Sequence, residues 1–177
     1  MKNRIDEMFE KKQNLLSIYF TAGFPALEDT MPILRGLEKA GVDFVEIGMP
    51  FSDPPADGPV IQLASIDALN NGMCIKKLLE QIKNMRSEIT MPVILMGYIN
   101  PVLHYGIESF AADAEAAGVD GLILPDLPWD EYVAKHKAMF DSHHLHFIPL
   151  IAPQSPDERI RHIDSQAEGF IYTVASA

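Results

Sequence analysis

The chain has 177 residues, of which 47% are hydrophobic and 22% charged, and this composition indicates one globular domain with a sizeable core. Its formal net charge of −11 argues against a nucleic-acid partner or an anionic membrane, because both need a basic face. No apolar run approaches the roughly 20 residues that cross a bilayer, and the first residues lack the apolar stretch of a signal peptide. A lone cysteine, Cys74, cannot form an internal disulfide, so we expect a cytoplasmic protein.

Short apolar runs alternate with amphipathic segments along the whole chain. An amphipathic helix is predicted first, at about residues 4–12. Six apolar runs then predict strands at residues 15–21, 44–48, 92–97, 121–124, 146–150 and 170–174. Helices are predicted between them at about residues 28–40, 59–70, 75–87, 107–117, 130–141 and 155–165. Strands that are apolar on both faces are typical of parallel sheets covered by helices.

The junction between helix and strand recurs along the chain. Gly41, Gly118 and, more weakly, Gly169 each end a helical segment and precede an apolar run. A glycine can adopt the positive φ that terminates a helix, so each junction has the same physical basis. Helices and strands that alternate in this way predict βα units and a parallel sheet.

Six βα-type strands fit either a doubly wound sheet or a β/α barrel, and two features favour the barrel. Polar residues follow several different strands, as expected where βα loops surround one mouth. The segment after the first strand, residues 21–25, has one glycine and lacks a dinucleotide-binding turn. We predict a single (β/α)8 TIM-barrel domain over residues 1–177, to which the chain supplies an N-terminal helix and about six strands.

Glu46 is a carboxylate in the middle of the second apolar strand. Both faces of such a strand are buried in a barrel, and an ionised carboxylate there costs several kcal/mol unless it has a partner. Burial raises the pKa of the group and suits it to exchange protons near neutral pH. On position alone, a salt-bridged or rim carboxylate is an equally good interpretation.

The segment that follows, residues 48–62, contains four prolines and two glycines and is therefore stiff. It carries Asp53 and Asp57 just before a helix that opens at about Pro59. A stiff loop holds charged side chains in fixed positions, which favours a functional role. The alternative is that both aspartates form turns and helix caps, and this alternative is stronger for Asp53.

Residues 46–62, EIGMPFSDPPADGPVIQ, resemble the signature of the tryptophan synthase α subunit family nearly residue for residue. Similar matches occur in order at residues 20–25, 95–101, 124–128 and 169–174, so the resemblance spans the chain. It implies a TIM-barrel lyase of tryptophan biosynthesis that converts indole-3-glycerol phosphate to indole and glyceraldehyde 3-phosphate. Glu46 matches the general acid/base that protonates the indole carbon bearing the glycerol phosphate. Asp57 matches the carboxylate that binds the indole N–H and stabilises the cationic intermediate.

The same resemblance implies further substrate-binding residues, which are Phe20, Tyr98, Asp126 and Tyr172. A core position for Tyr172 and a turn position for Asp126 remain equally open. No cofactor is implied in this subunit, and pyridoxal phosphate is expected in a partner β subunit of an α2β2 complex. The loops at residues 50–59 and 98–104 are expected to meet that partner, with Asp53 as a contact.

The family's phosphate-binding strands correspond to positions beyond Ala177, so we expect the natural protein to be longer by roughly two βα units. Two other functions remain open, namely a non-catalytic fragment or paralogue that docks on the β subunit and modulates it, and a different phosphate-binding barrel enzyme. A metal site at His143, His144 and His146 is disfavoured, because no carboxylate or cysteine nearby is expected to complete it.

Overall fold

The structure, a computed structural model, describes residues 2–175. Its strands are β1 (Ser17–Thr21), β2 (Phe44–Gly48), β3 (Val93–Met96), β4 (Gly121–Ile123), β5 (His146–Phe147), β6 (Leu150–Ile151) and β7 (Tyr172–Thr173). Its helices are α1 (Arg4–Lys11), α2 (Thr30–Ala40), α3 (Pro59–Asn70), α4 (Ile75–Ile82), α5 (Ile99–Tyr105), α6 (Ile107–Ala117), α7 (Trp129–Lys135), α8 (Lys137–Ser142) and α9 (Asp157–Asp164). No helix between residues 2 and 175 has the length and apolar character needed to cross a membrane.

All strand pairs are parallel, as the repeated junction predicts. β1 to β5 form one sheet in chain order, and β6 pairs with β7 in a second sheet. The single fifth strand predicted at residues 146–150 is wrong, because the strand is divided into β5 and β6. Ile148 still donates its N–H to Leu122 at 2.9 Å, whereas Pro149 has no N–H and instead accepts from Tyr172 at 2.9 Å. The segment therefore pairs with β4 before Pro149 and with β7 after it. The parallel strands and their helices together form a partial β/α barrel.

Two helix predictions also need correction. The helix expected at residues 130–141 is two helices that meet at His136, although the segment contains neither glycine nor proline. The segment 98–104, expected to be a loop, contains α5. Pro101 lies in the first turn of α5, where its missing N–H is tolerated, and Asp126 accepts a hydrogen bond from the N–H of Ile99 at 2.9 Å.

Two of the three glycine junctions are confirmed as helix ends, whereas α9 already ends at Asp164, before Gly169. Gly41 ends α2 at φ 80° and Gly118 ends α6 at φ 84°, both in the left-handed region. Gly169 precedes β7 at φ 76°. In the first junction the N–H of Val42 returns to the carbonyl of Leu37 at 3.2 Å, so the helix end is closed before β2 begins.

The strands separate two apolar clusters, one between the sheet and its helices and one in the barrel interior. The interior cluster is built around Ile5, Phe44, Ile94, Ile123 and Ile148. Ile5 comes from α1, which closes the end of the interior at the N-terminal side of the strands. Because successive strand residues face opposite sides, the same strands supply both clusters.

A buried ionic cluster, Arg4, Arg86 and Asp120, lies at this closed end, which we call the barrel floor. Asp120 is 2% exposed and precedes β4. Its carboxylate forms ion pairs with Arg4 at 2.9 Å and with Arg86, and it accepts from the N–H of Val93 at 2.7 Å. Arg86 also donates to the carbonyl of Gly118 at 2.8 Å. The cluster thus joins α1, β3 and the end of α6.

We predict that Asp120→Ala destabilises the fold by about 3–5 kcal/mol, because it leaves the largely buried Arg86 without its counter-charge. Glu131→Ala, which removes an exposed i,i+4 pair with Lys135, should cost less than about 1 kcal/mol. Urea unfolding of the whole protein measures both changes. Equal effects of the two substitutions would show that the floor cluster does not hold the fold.

Candidate active site

Glu46 lies in β2 and faces the barrel interior. It is 4% exposed and is paired in register with Tyr19 of β1 and Ile94 of β3. Its Oε1 accepts a hydrogen bond from the Ser17 hydroxyl at 2.6 Å. Burial raises the pKa of Glu46, and the Ser17 hydrogen bond offsets only part of this rise. Since no ion pair with a basic residue joins Glu46 within residues 2–175, it is a buried carboxyl suited to proton exchange.

Asp57 lies in the loop after β2, at the end of the sheet opposite the floor. Burial raises the pKa of this half-buried carboxyl, and the Tyr98 hydroxyl acts in the opposite direction. An aspartate starts from a lower pKa than a glutamate, and Asp57 is less buried than Glu46. Asp57 is therefore the carboxylate of the two that stays ionised more readily.

The loop that carries Asp57 is held on two sides. The buried Tyr98 packs its ring against Phe51, with centroids 5.3 Å apart, and its hydroxyl accepts from the N–H of Ala56 at 3.0 Å. On the other side, the Gln62 side chain donates to the carbonyl of Asp57 at 2.9 Å. Tyr98 therefore fixes the backbone next to Asp57, a role that the sequence does not reveal.

Tyr172, predicted to bind substrate, is half-buried on the interior face of β7 and packs against the interior cluster. Burial raises the pKa of its hydroxyl, and the Glu46 carboxylate raises it further. The second effect places the tyrosine within electrostatic range of the buried acid. A role in substrate binding remains a prediction.

The placement expected for Phe20 is wrong. Phe20 is paired in register with Ile47 and packs in the cluster between sheet and helices, so it faces away from Glu46. Asp126 is exposed, and its carboxylate caps the first turn of α5, which agrees with the alternative of a turn position. Its predicted contact with substrate has no support from this geometry.

Tyr19 is the interior residue that the sequence reasoning missed. It lies one position before Phe20, on the same face of the sheet as Glu46. The signal was present in the alternation of β1, whose polar residues Ser17, Tyr19 and Thr21 all share one face. The pKa of Tyr19 is raised by burial and, to a smaller extent, by the carboxylates of Asp57 and Glu46. Tyr19 therefore lies within electrostatic range of both predicted catalytic groups, Glu46 and Asp57.

The histidine-rich segment forms ion-pair contacts. His143 and His144 both approach the carboxylate of Glu115, at 2.7 and 3.0 Å, and His146 contacts Asp6 at 2.9 Å. The expectation that no carboxylate lies nearby is therefore wrong for Glu115, which is distant in sequence but close in space. In the part of the chain that the structure describes, no group of three such side chains is arranged to hold a metal ion.

An apolar groove of about 520 Å³ lies beside the Asp57 loop, on the outside of the barrel mouth. Its walls come from the loop after β2, from α4 and from α5. The lining residues are Pro50, Phe51, Ser52, Leu69, Cys74, Ile75, Lys76, Asn100, Pro101, His104 and Tyr105. The nearby Leu103 side chain is 51% exposed.

A parallel sheet curved into a partial β/α barrel, with a buried acid in its interior and a second carboxylate at its mouth, defines the class of β/α-barrel enzymes that use acid–base chemistry. The family model described as "Tryptophan synthase alpha chain" matches residues 5–177. A relative from Flavobacterium psychrophilum with that name is 54% identical over 175 residues, which are 99% of this chain and 69% of the relative.

A relative from Christiangramia forsetii is also 54% identical and is covered over 68% of its length. The crystal structure of tryptophan synthase subunit alpha from Legionella pneumophila superposes with a TM-score of 0.93 at 41% identity, over 99% of this chain and 68% of that one. The chain belongs to the tryptophan synthase alpha chain family. This is the lyase of tryptophan biosynthesis that cleaves indole-3-glycerol phosphate, as the resemblance implies.

We predict that Glu46→Gln stabilises the protein increasingly as pH rises. A carboxyl whose folded pKa is raised binds more protons when folded, so its contribution to stability is lost as pH rises from the unfolded pKa of about 4.3 to the folded pKa. The glutamine cannot ionise and avoids this loss. Urea unfolding midpoints from acid to neutral pH measure the difference between variant and native protein. A difference that stays constant with pH would contradict a raised pKa at Glu46.

Proposed function

We propose that Glu46 and Asp57 perform the cleavage of indole-3-glycerol phosphate, with Glu46 moving the protons and Asp57 stabilising positive charge. The observation that supports this proposal is the burial of Glu46 in the barrel interior, where one serine hydroxyl and no cation of the described residues 2–175 is its partner. Burial raises the pKa of such a carboxyl and so favours its protonated form, which suits a group that acts first as acid and then as base.

The reaction requires that one proton is delivered to the substrate and that another is removed from it. Protonation of the indole carbon that bears the glycerol chain turns the ring into a cation. Loss of the proton from the hydroxyl on the attached carbon then forms the aldehyde, and the electrons of the broken carbon–carbon bond return to the ring. Glu46 in its acid form supplies the first proton, and the carboxylate that remains accepts the second. Glu46 is therefore protonated again at the end of the reaction.

Asp57 suits the second role because the positive charge is shared with the ring nitrogen. A carboxylate that accepts a hydrogen bond from the indole N–H stabilises this cation most when it is held in place beforehand. Tyr98 and Gln62 fix the backbone on both sides of Asp57. Tyr172, on the interior face of β7, is placed to contact the substrate beside Glu46.

We also propose that the mouth of the barrel docks on a β subunit within an α2β2 complex in the cytoplasm. The apolar groove between the loop after β2 and α5 is lined in part by both segments expected at this interface, namely by residues 50–52 of the first and by Asn100, Pro101 and His104 of the second. Asp53 is exposed at the edge of the loop, and the one hydrogen bond that it accepts within residues 2–175 comes from the neighbouring Ser52 hydroxyl at 2.5 Å. Its charge is therefore available to a basic residue of the partner. The pyridoxal phosphate of the complex belongs to the β subunit, and this chain needs no cofactor for its own step.

We predict that Glu46→Gln in the whole protein lowers the rate of indole formation by about 10²–10⁴-fold, because an amide cannot exchange the proton. Asp57→Asn should lower kcat by about 10²-fold or more, because the amide lacks the charge that stabilises the cation. Steady-state assays of indole release, with unfolding midpoints as a folding control, test both. More than about a tenth of native activity in Glu46→Gln would assign the acid to another residue. A change in KM alone for Asp57→Asn would make it a positioning residue.

We predict that Asp53→Ala weakens activation by the β subunit and leaves basal cleavage unchanged. Asp53 lies on the outer side of the loop. The loss of its charge therefore weakens association with the β subunit and has little effect on the buried acid, Glu46. Titration of the variant with β subunit, followed by indole release and by binding affinity, measures the effect. The exposed Glu108→Ala on α6 is the matched control and should behave as the native protein. A parallel loss of basal activity in Asp53→Ala would show that Asp53 serves the cleavage site itself.

A further inference from the structure

Tyr19 is a half-buried polar residue that the acid–base pair leaves without a role. β1 presents three polar side chains to the barrel interior, and the first of them, Ser17, is bound to Glu46. Tyr19 follows on the same face, in register with Glu46 itself. Thr21 ends the strand and is 4% exposed. The hydroxyl groups of β1 thus follow the path from the buried acid towards the mouth.

The ring of Tyr19 crosses from β1 onto the last residue of β2. A Cβ atom placed on Gly48 would collide with the Tyr19 hydroxyl oxygen and would lie 2.6 Å from Cζ and 2.9 Å from Cε2. No side chain fits at this position while the ring is present. The phenol therefore lies over the end of β2, between Glu46 in the strand and the loop that carries Asp57.

The hydroxyl of Tyr19 has spare hydrogen-bonding capacity. Its only hydrogen bond within residues 2–175 is with the Thr21 hydroxyl at 3.5 Å, which is at the outer limit for a hydrogen bond. A phenol offers one donor and two acceptor positions. Burial and the two carboxylates raise the pKa of Tyr19, so the group stays protonated and acts as a neutral donor.

We propose that Tyr19 is a substrate-binding residue whose hydroxyl donates a hydrogen bond to a hydroxyl oxygen of the glycerol chain. The inference rests on the assignment of Glu46 and Asp57 proposed above. With the indole N–H bound by Asp57, the glycerol hydroxyls are the acceptors nearest to the carbon that Glu46 protonates. A donor over Gly48 holds that part of the chain beside the acid. Tyr19 exchanges no proton, and its bond orients the hydroxyl that must lose one.

The test compares two ligands in a background that cannot turn over. In Glu46→Gln protein, the dissociation constant is measured for indole-3-glycerol phosphate and for indole-3-propyl phosphate, which lacks both glycerol hydroxyls. Adding Tyr19→Phe removes one oxygen and keeps the ring. We expect about 5- to 10-fold weaker binding of the hydroxylated ligand and less than about twofold change for the other, as for loss of one hydrogen bond. With Glu46 intact, Tyr19→Phe should lower kcat/KM at least as much.

Tyr132→Phe is the matched control, because it deletes the same atom from a tyrosine buried between sheet and helices and should leave both affinities unchanged. Equal weakening for both ligands by Tyr19→Phe would reduce Tyr19 to a packing residue, and no weakening for either would show its hydroxyl to be idle. Either result overturns the inference. Rapid cleavage by Glu46→Gln alone would instead overturn the proposed acid, while the ligand comparison would still decide the role of Tyr19.

Discussion

The pairing of the Asp120 carboxylate with two arginines holds the closed end of this barrel. Arg4 reaches it from α1, and Arg86 reaches it while also capping the end of α6. Three separate parts of the chain are thereby fixed to the start of β4. Glu46 is nearly as buried, but within residues 2–175 its one hydrogen-bond partner is Ser17. Neighbouring charges, more than burial, thus decide which carboxylate supports the fold and which one is available for proton transfer.

The rest of the site depends on strand register. Because β1 and β2 are paired without offset, Tyr19 and Glu46 lie side by side and face the same space. The loop after β2 then carries Asp57 over that space, and Tyr98 and Gln62 hold it there from two other elements. Each group that we assign to the reaction is thus placed by backbone pairing or by a neighbour whose own position is fixed. Such support keeps reacting groups in place before the substrate arrives.

Much of the fold follows from local patterns in the sequence. The glycine junctions predict the βα repeat. The apolar strand at residues 44–48 predicts a buried position for Glu46, but a salt-bridged or rim carboxylate fits the sequence equally well. The division of the fifth strand was signalled only by Pro149, and α5 depends on a cap from Asp126, which is distant in sequence. Phe20 is suggested by the resemblance alone. The alternation of side chains along β1 instead places Tyr19 on the face that Glu46 occupies. Contacts between distant segments, such as Glu115 with His143, leave no local signal at all.

The close approach of Tyr19 to Gly48 has a consequence for how this sequence can change. The two positions share one volume, which the phenol now fills completely at the cost of any side chain on β2. A larger residue at position 48 requires that the Tyr19 ring moves or that position 19 becomes smaller. We therefore expect a larger residue at position 48 to be accepted together with a smaller one at position 19, an exchange that would move the polar group of the barrel interior from one strand to the next.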